Sequence, residues 1–178
     1  LKQNDIIAFQ GLLDVIVEAT IDYLASQVEH GAEVLQLFDS WAGSLIGEDF
    51  DGFCIAPNKS IIDGLHARGI TTPIIGFPRG AKDRYVDFAV ETGVQAISID
   101  QDIRLSSVIA DRPDTVVSQG NLDPICLIDG GQNMFSQIDD IIEATKGRRH
   151  IFNLGHGITQ HTPPHHISEL VDYIRNKG

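Results

Sequence analysis

The sequence has 178 residues, of which 42% are hydrophobic and 21% charged, and a formal net charge of −12. This length is typical of one domain with a buried core, and the acidic balance argues against nucleic acid or an anionic membrane as a main partner. No apolar run is long enough to span a bilayer, and the first residues lack the pattern of a signal peptide.

The two cysteines, Cys54 and Cys126, stand far apart and form no CxxC spacing. Lone cysteines of this kind are typical of buried, reduced thiols, so we expect a cytoplasmic protein. Leu1 is not a methionine, and the chain opens inside what looks like a helix, which predicts that the chain is a piece of a longer protein.

The first half of the chain alternates helices with short apolar strands. Apolar residues at helical spacing predict a helix over 5–30 with one buried stripe. The apolar run after Gly31 predicts a strand that ends at Asp39. The elements predicted next are a loop over 44–52, a helix to Arg68, a strand over 73–77 with the loop Pro78-Arg79-Gly80-Ala81, and a helix over 81–92.

The second half repeats the alternation of strand, loop and helix. The predicted strands cover 94–100, 115–118 and 150–154, and the predicted helices cover 103–110, 132–147 and a stretch that begins at Thr162-Pro163-Pro164. The loops between them include Gln119-Gly120-Asn121-Leu122-Asp123-Pro124 and Gly155-His156-Gly157-Ile158. Five strands that are each followed by a helix predict a parallel α/β sheet.

Two α/β architectures have this order. A doubly wound open sheet can use five strands, but the sequence has neither GxGxxG nor a Walker loop. A closed (β/α)8 barrel needs roughly 250 residues, so the chain would supply its last five β/α units. In either case the polar residues Asp39, Ser40 and Arg79 follow strands, where ligands bind in α/β proteins.

Four loop motifs resemble one family when they are read in order. FDSWAG (38–43), GFPRGA (76–81), QGNLDP (119–124) and FNLGHGI (152–158), with TPP (162–164), are similar to uroporphyrinogen decarboxylase. The resemblance covers about residues 5–175 and implies a (β/α)8 TIM barrel, of which residues 1–178 would form one domain at the carboxyl-terminal end.

The resemblance implies a reaction as well as a fold. The family removes the four acetate carboxyl groups of uroporphyrinogen III to give coproporphyrinogen III in haem biosynthesis. It uses no metal or organic cofactor, because a protonated pyrrole can hold the electrons when carbon dioxide leaves. The implied partners are the substrate, a second copy of the chain in a homodimer, and an amino-terminal half.

Three residues match or adjoin family positions that contact substrate. Ser40 matches the substrate-contacting position of FDSWAG, and His156 matches the substrate-binding histidine of GHGI. Arg79 is a weaker candidate, because an ion pair with an acidic neighbour would explain it equally well. Asp39 could instead anchor its own loop by accepting backbone hydrogen bonds.

The chain departs from the family pattern in ways that bear on activity. The arginine-rich amino-terminal motif, the aspartate that holds the pyrrole N–H groups and a substrate-contacting tyrosine have no counterpart here, so no catalytic residue is assigned. Gln101 stands where members often have Trp.

Two other functions stay open. A corrinoid-linked methyltransferase relative would hold zinc, but no HxC pair is present, and the spacing of the histidines in residues 150–166 fits no common zinc pattern. The chain could also be a non-catalytic fragment that binds porphyrin or a partner through exposed strand edges.

Overall fold

The computed structural model describes residues 5–177, which divide into two compact units, one ending at Ala96 and one beginning at Ile97. The boundary falls inside the third strand. The strands follow one another in chain order, β1-β2-β3-β4-β5, which confirms the predicted alternation of strands and helices. The single-domain interpretation stays a prediction, and each unit is described by itself.

The first unit places two parallel strands beside helices. In register, Leu35 pairs with Ile74 and Asp39 pairs with Pro78. The elements are α1 (Ile6–Glu29), β1 (Leu35–Asp39), a 3-10 turn (Ala42–Ser44), α2 (Glu48–Phe50), a π-helical segment (Asp51–Ile55), α3 (Ala56–Ala67), β2 (Ile74–Pro78), a 3-10 turn (Lys82–Arg84) and α4 (Tyr85–Thr92).

The second unit is built on a second parallel pair of strands. In register, Ser118 pairs with His150 and Leu122 pairs with Leu154. The elements from the third strand onward are β3 (Ala96–Ser98), α5 (Leu105–Asp111), β4 (Val117–Leu122), α6 (Cys126–Asp129), α7 (Gly131–Ala144), β5 (His150–Leu154) and α8 (Pro164–Arg175).

The core of each unit lies between its strands and its helices. In the first unit Leu35, Ile74, Leu65 and Phe88 are almost completely buried. Gly76 leaves room for the Phe88 ring, because a β-carbon at Gly76 would lie 2.4 Å from the ring atom Cε1. In the second unit the fully buried side chains include Ile97, Ile99, Leu122, Leu127, Met134 and Ile138.

Four sequence-based assignments are wrong in detail. The predicted loop over 44–52 already contains helix α2, which runs through the π-helical segment into α3. The predicted loop after Ser118 is strand as far as Leu122, because the side chain of Asn121 finds acceptors within the fold. Strand β3 is shorter than expected, and the short helix α6, which begins at Cys126, is not among the predicted elements.

The predicted stripe on α1 is buried only in the second half of the helix. Ile21 and Leu24 are buried, whereas Leu12 is 44% and Ile16 49% exposed. The buried half is the part that meets α3, where a β-carbon at Gly64 would lie 2.4 Å from the Ile21 side chain. In the first half of α1, Phe9 and Leu13 are half-buried, and the Phe9 ring packs edge-on against the Phe53 ring at a centroid distance of 5.1 Å.

Candidate functional site

The carboxyl ends of β1 and β2 form a candidate site in the first unit. The N–H of Arg79 donates to the Asp39 carbonyl at 3.0 Å, and the N–H of Gly43 donates to the Arg79 carbonyl at 2.9 Å. A β-carbon at Gly43 would lie 2.8 Å from the Gly80 Cα. The loop after β1 and the loop after β2 therefore lie against each other, with Ser40 and Arg79 at adjoining strand ends.

The carboxylate of Asp39 is used inside its own loop. It accepts hydrogen bonds from the Cys54 thiol and from the N–H groups of Trp41 and Ala42. Burial raises the pKa of the Asp39 carboxyl, and these three hydrogen bonds oppose that rise. Burial and the nearby Asp39 charge also raise the pKa of the Cys54 thiol, so this thiol stays protonated and acts as a donor. Asp39 is therefore an anchor of the loop.

Ser40 and Arg79 differ from Asp39, because their side chains have no partner among residues 5–177. Ser40 is exposed and does not cap the 3-10 turn that follows it. Arg79 is half-buried, and its guanidinium forms no ion pair with the described acidic residues. The ion-pair explanation of Arg79 therefore finds no support. Trp41, next to Ser40, is 80% exposed.

The carboxyl ends of β4 and β5 form a candidate site in the second unit. The Gly155 N–H donates to the Leu122 carbonyl at 2.7 Å, and a β-carbon at Gly155 would lie 2.3 Å from the Gln101 nitrogen. Only a glycine allows this close approach. The loop that carries His156 is thus packed against the end of β3, and the His156 side chain is exposed.

In the motif QGNLDP, the side chains of Asn121 and Asp123 hydrogen-bond to backbone groups of the fold. The Asn121 side-chain amide donates to the carbonyls of Asp100 and Ile103, both at 2.9 Å. The Asp123 carboxylate accepts from the Ile125 N–H at 2.9 Å and so closes the turn into α6. The buried Asn121 amide therefore fixes the loop after β3.

The sequence analysis missed Arg104, a further cation at a strand end. Its guanidinium forms no hydrogen bond or ion pair with any described residue, and it lines a cavity of about 360 Å³ together with Asn121, Asp123 and Gln101. The Gln101 side-chain oxygen is buried and has no hydrogen-bond partner in the described part of the chain. In the sequence, Arg104 is marked only by its position shortly after the predicted third strand, and it belongs to none of the four loop motifs.

The described histidines, cysteines and acids do not come together as a metal site. Within residues 5–177 no group of three or more of them is close enough to hold an ion. His150 is instead held by Ser118, whose hydroxyl lies 2.9 Å from Nδ1, and by the Gly120 carbonyl, 2.8 Å from Nε2.

In the part of the chain that the structure describes, no helix has the length and apolar character needed to cross a membrane.

Comparison with known proteins identifies similar sequences over almost the whole chain. The family model described as uroporphyrinogen decarboxylase (URO-D) matches residues 4–177. Proteins named uroporphyrinogen decarboxylase from Rhizorhabdus wittichii and Paracoccus denitrificans are 43% and 45% identical to the chain, over 97% and 98% of its length. The matches cover 50% and 51% of those proteins, so the chain spans about half the length of the curated relatives it matches.

A comparison of structures finds the same architecture in a more distant protein. A methyltransferase from Methanosarcina mazei superposes with a TM-score of 0.77 and 19% identity, covering 92% of this chain and 48% of that one. Likeness at this identity concerns the fold alone. Together with the family match it confirms the prediction that the chain belongs to the TIM-barrel class.

Proposed function

Because the chain belongs to the uroporphyrinogen decarboxylase family, we propose that it supplies the carboxyl-terminal part of an enzyme that converts uroporphyrinogen III to coproporphyrinogen III. In this proposal residues 1–178 form one folding domain, the last five β/α units of a barrel. The single observation that carries the proposal is the pair of unpartnered polar side chains, Ser40 and Arg79, at adjoining strand ends.

Each of these side chains suits a substrate rich in carboxylates. A guanidinium presents parallel N–H groups that match the two oxygens of a carboxylate, and such charge-assisted bonds are stronger than neutral ones. Arg79 would hold one acetate or propionate carboxylate of the macrocycle, and the Ser40 hydroxyl would donate to a second oxygen. His156 would donate to another carboxylate or carry a proton. Arg104, which immediately precedes α5, is a further cation available to the substrate.

The proposed chemistry replaces each acetate carboxylate with a proton. Protonation of a pyrrole carbon makes the ring an electron sink, and the bond between the methylene carbon and the carboxylate then breaks. Carbon dioxide leaves, and the electron pair passes into the ring. A proton then adds to the methylene carbon to give a methyl group, and the ring proton is lost. The protein would position the ring and supply charge and protons, without a metal or an organic cofactor.

The partners and location are also part of the proposal. An amino-terminal half would pair with the exposed strands β1 and β5 and supply the family aspartate that this chain lacks. A second copy of the chain would form a homodimer, which the exposed apolar residues Ile7, Val15 and Tyr23 of α1 support. The free, buried Cys54 and Cys126 are consistent with a cytoplasmic location.

The test is a complementation assay. The purified chain is incubated anaerobically with uroporphyrinogen III, alone and with the separately expressed amino-terminal half of the Paracoccus denitrificans relative. Products are separated by their number of carboxyl groups. We expect turnover only in the mixture, and co-elution of the two parts during size-exclusion chromatography.

Two results would contradict the proposal. Turnover by the chain alone would mean that the missing aspartate is not needed for catalysis. Co-elution without turnover, together with saturable porphyrin binding, would support a non-catalytic binding protein.

The same assay tests the role of Arg79 with an Arg79→Ala variant. The Arg68→Ala variant is its matched control, because Arg68 is an exposed arginine of the same unit that pairs with Asp22 at 2.6 Å.

A further inference from the structure

Three arginines gather at the amino ends of β4 and β5, the opposite ends of these strands from His156. Arg112 follows α5, and Arg148 and Arg149 immediately precede β5. The acid paired within this cluster is Asp114, whose carboxylate lies 3.0 Å from Arg148 Nη2. The cluster therefore carries two positive charges in excess, within a chain of net charge −12.

Arg112 is buried without a carboxylate. It is 3% exposed, and its guanidinium donates to the carbonyls of Pro113, Val116 and Arg149. The Nε atom of Arg112 is buried and has no partner among the described residues. Burial and the neighbouring Arg148 charge lower the pKa of Arg112, as expected for a cation whose charge is not fully balanced.

The guanidinium groups of Arg148 and Arg149 have N–H donors that make no bond to oxygen atoms of the described fold and can therefore bind a ligand. Arg148 uses Nη2 for the Ile109 and Arg112 carbonyls and for Asp114, and Arg149 uses Nη2 for the Asp114 carbonyl. A guanidinium has five N–H donors, and the Nε and Nη1 groups of both side chains have no acceptor among residues 5–177. These two arginines, Arg112, Asp114 and Gly147 line a cavity of about 330 Å³.

A purely structural role explains only part of this arrangement. The bonds of Arg112 to three carbonyls tie the loop after α5 to the start of β5, and a neutral donor could do the same. That role does not account for two further arginines with unused donors around one cavity. A multiply charged anion would accept from those donors and balance the excess charge.

We propose that Arg112, Arg148 and Arg149 form a binding site for a dianion of the phosphate class, either inorganic phosphate or a small phosphate monoester. The planar, forked donors of arginine suit phosphate oxygens, and the charge of the dianion equals the excess of the cluster. The site lies at the amino ends of β4 and β5, opposite the carboxyl ends where His156 stands, and it does not depend on the proposed decarboxylation.

The experiment is a titration of the 178-residue chain with inorganic phosphate and, in a second arm, with glycerol phosphate, followed by calorimetry at constant ionic strength. We expect saturable binding of one anion per chain. The Arg149→Gln and Arg148→Gln variants should each weaken it about tenfold or more, the loss expected when a charged hydrogen-bonding partner is removed. Tighter binding in one arm identifies free or esterified phosphate as the better ligand.

The control variant is Arg175→Gln, which removes the same charge from the exposed end of α8. It should bind phosphate like the parent chain. Absence of saturable binding in both arms would overturn the proposal, and so would equal weakening by Arg175→Gln and Arg149→Gln, which would mean a general charge effect. Arg149→Lys keeps the charge without the fork and should bind more weakly than the parent. Circular dichroism spectra establish that each variant is folded.

Discussion

The carboxyl end of β1 and the carboxyl end of β4 carry similar polar motifs but use them differently. At β4 the Asn121 amide and the Asp123 carboxylate are both occupied by backbone groups of the fold. At β1 the fold uses the Asp39 carboxylate, while the side chains of Ser40 and, on the neighbouring strand, Arg79 have no partner among residues 5–177. A motif that looks functional in sequence can therefore be architectural, and the hydrogen-bond partners distinguish the two cases.

This difference divides the polar residues into two groups with different expected mutant behaviour. Residues whose polar atoms bond within the fold should affect stability when changed. Residues whose polar atoms have no described partner should affect ligand binding and leave stability almost unchanged. Each prediction below compares a member of one group with a control or with a member of the other.

The largest expected effect is that of Gly43→Ala. The added β-carbon would lie 2.8 Å from backbone atoms of Gly80, so the loops after β1 and β2 must separate. We expect a loss of about 3 kcal/mol in the free energy of unfolding, measured by urea denaturation. Gly52→Ala is the control, since no heavy atom lies within 4 Å of its added β-carbon. Equal stability of the two variants would show that the loops do not need this close contact.

The next effect compares Asn121→Ala with Ser40→Ala. Asn121→Ala leaves two carbonyls without their donor and should lower stability by about 2 kcal/mol. Ser40→Ala removes a hydroxyl with no described partner and should change stability by less than about 0.5 kcal/mol. Thermal denaturation of both variants provides the measurement. A large loss for Ser40→Ala would place Ser40 among the architectural residues.

A smaller effect is expected for Arg79→Ala, and it should appear in kinetics. In the complemented enzyme we expect kcat/KM to fall about tenfold, the loss for one charged hydrogen-bonding partner, with the unfolding free energy nearly unchanged. Arg79→Lys should recover part of the activity. Unchanged kcat/KM would remove Arg79 from the substrate site, and a matching fall with Arg68→Ala would point to a general loss of positive charge.

The smallest effect is the pH dependence that His150 contributes. Burial, followed by the nearby Arg112 charge, lowers the pKa of His150 below its ordinary value of 6.5. The unfolded chain then takes up a proton before the folded chain does, so stability should fall as the pH drops below about 6.5. Denaturation curves at several pH values should show a shallower fall in His150→Gln. If the fall of stability with pH were the same in His150→Gln as in the parent chain, His150 would have the same pKa in the folded and unfolded chains.

The sequence predicted helices and strands well where the spacing of apolar residues within one segment determines its structure. The alternation of apolar runs with glycine and proline turns located all five strands, and the helix predicted over 81–92 contains α4, on which Tyr85, Phe88 and Ala89 are buried. The motifs identified the family without a structure. These successes rest on local spacing, which the neighbouring chain segments do not change.

The errors occur where partners distant in sequence decide the structure. The stripe on α1 looked continuous, but only the part that meets α3 is buried. The predicted loop after Ser118 is strand because residues as far as Leu122 pair with β5, and Asn121 within it bonds to groups about twenty residues earlier. Spacing along the sequence also could not show that the Cys54 thiol donates to the Asp39 carboxylate. Nor could it show that the Arg104 guanidinium has no hydrogen-bond or ion-pair partner among the described residues.

The exposed side chain beside Ser40 has a practical consequence. Trp41 is the only tryptophan of the chain, so its intrinsic fluorescence reports on one place, the loop after β1. An indole that is 80% exposed should emit at the long wavelengths typical of water. A bound macrocycle would quench this emission, and an added amino-terminal half that covers the loop would shift it to shorter wavelengths. The unmodified chain thus contains its own optical probe of the site.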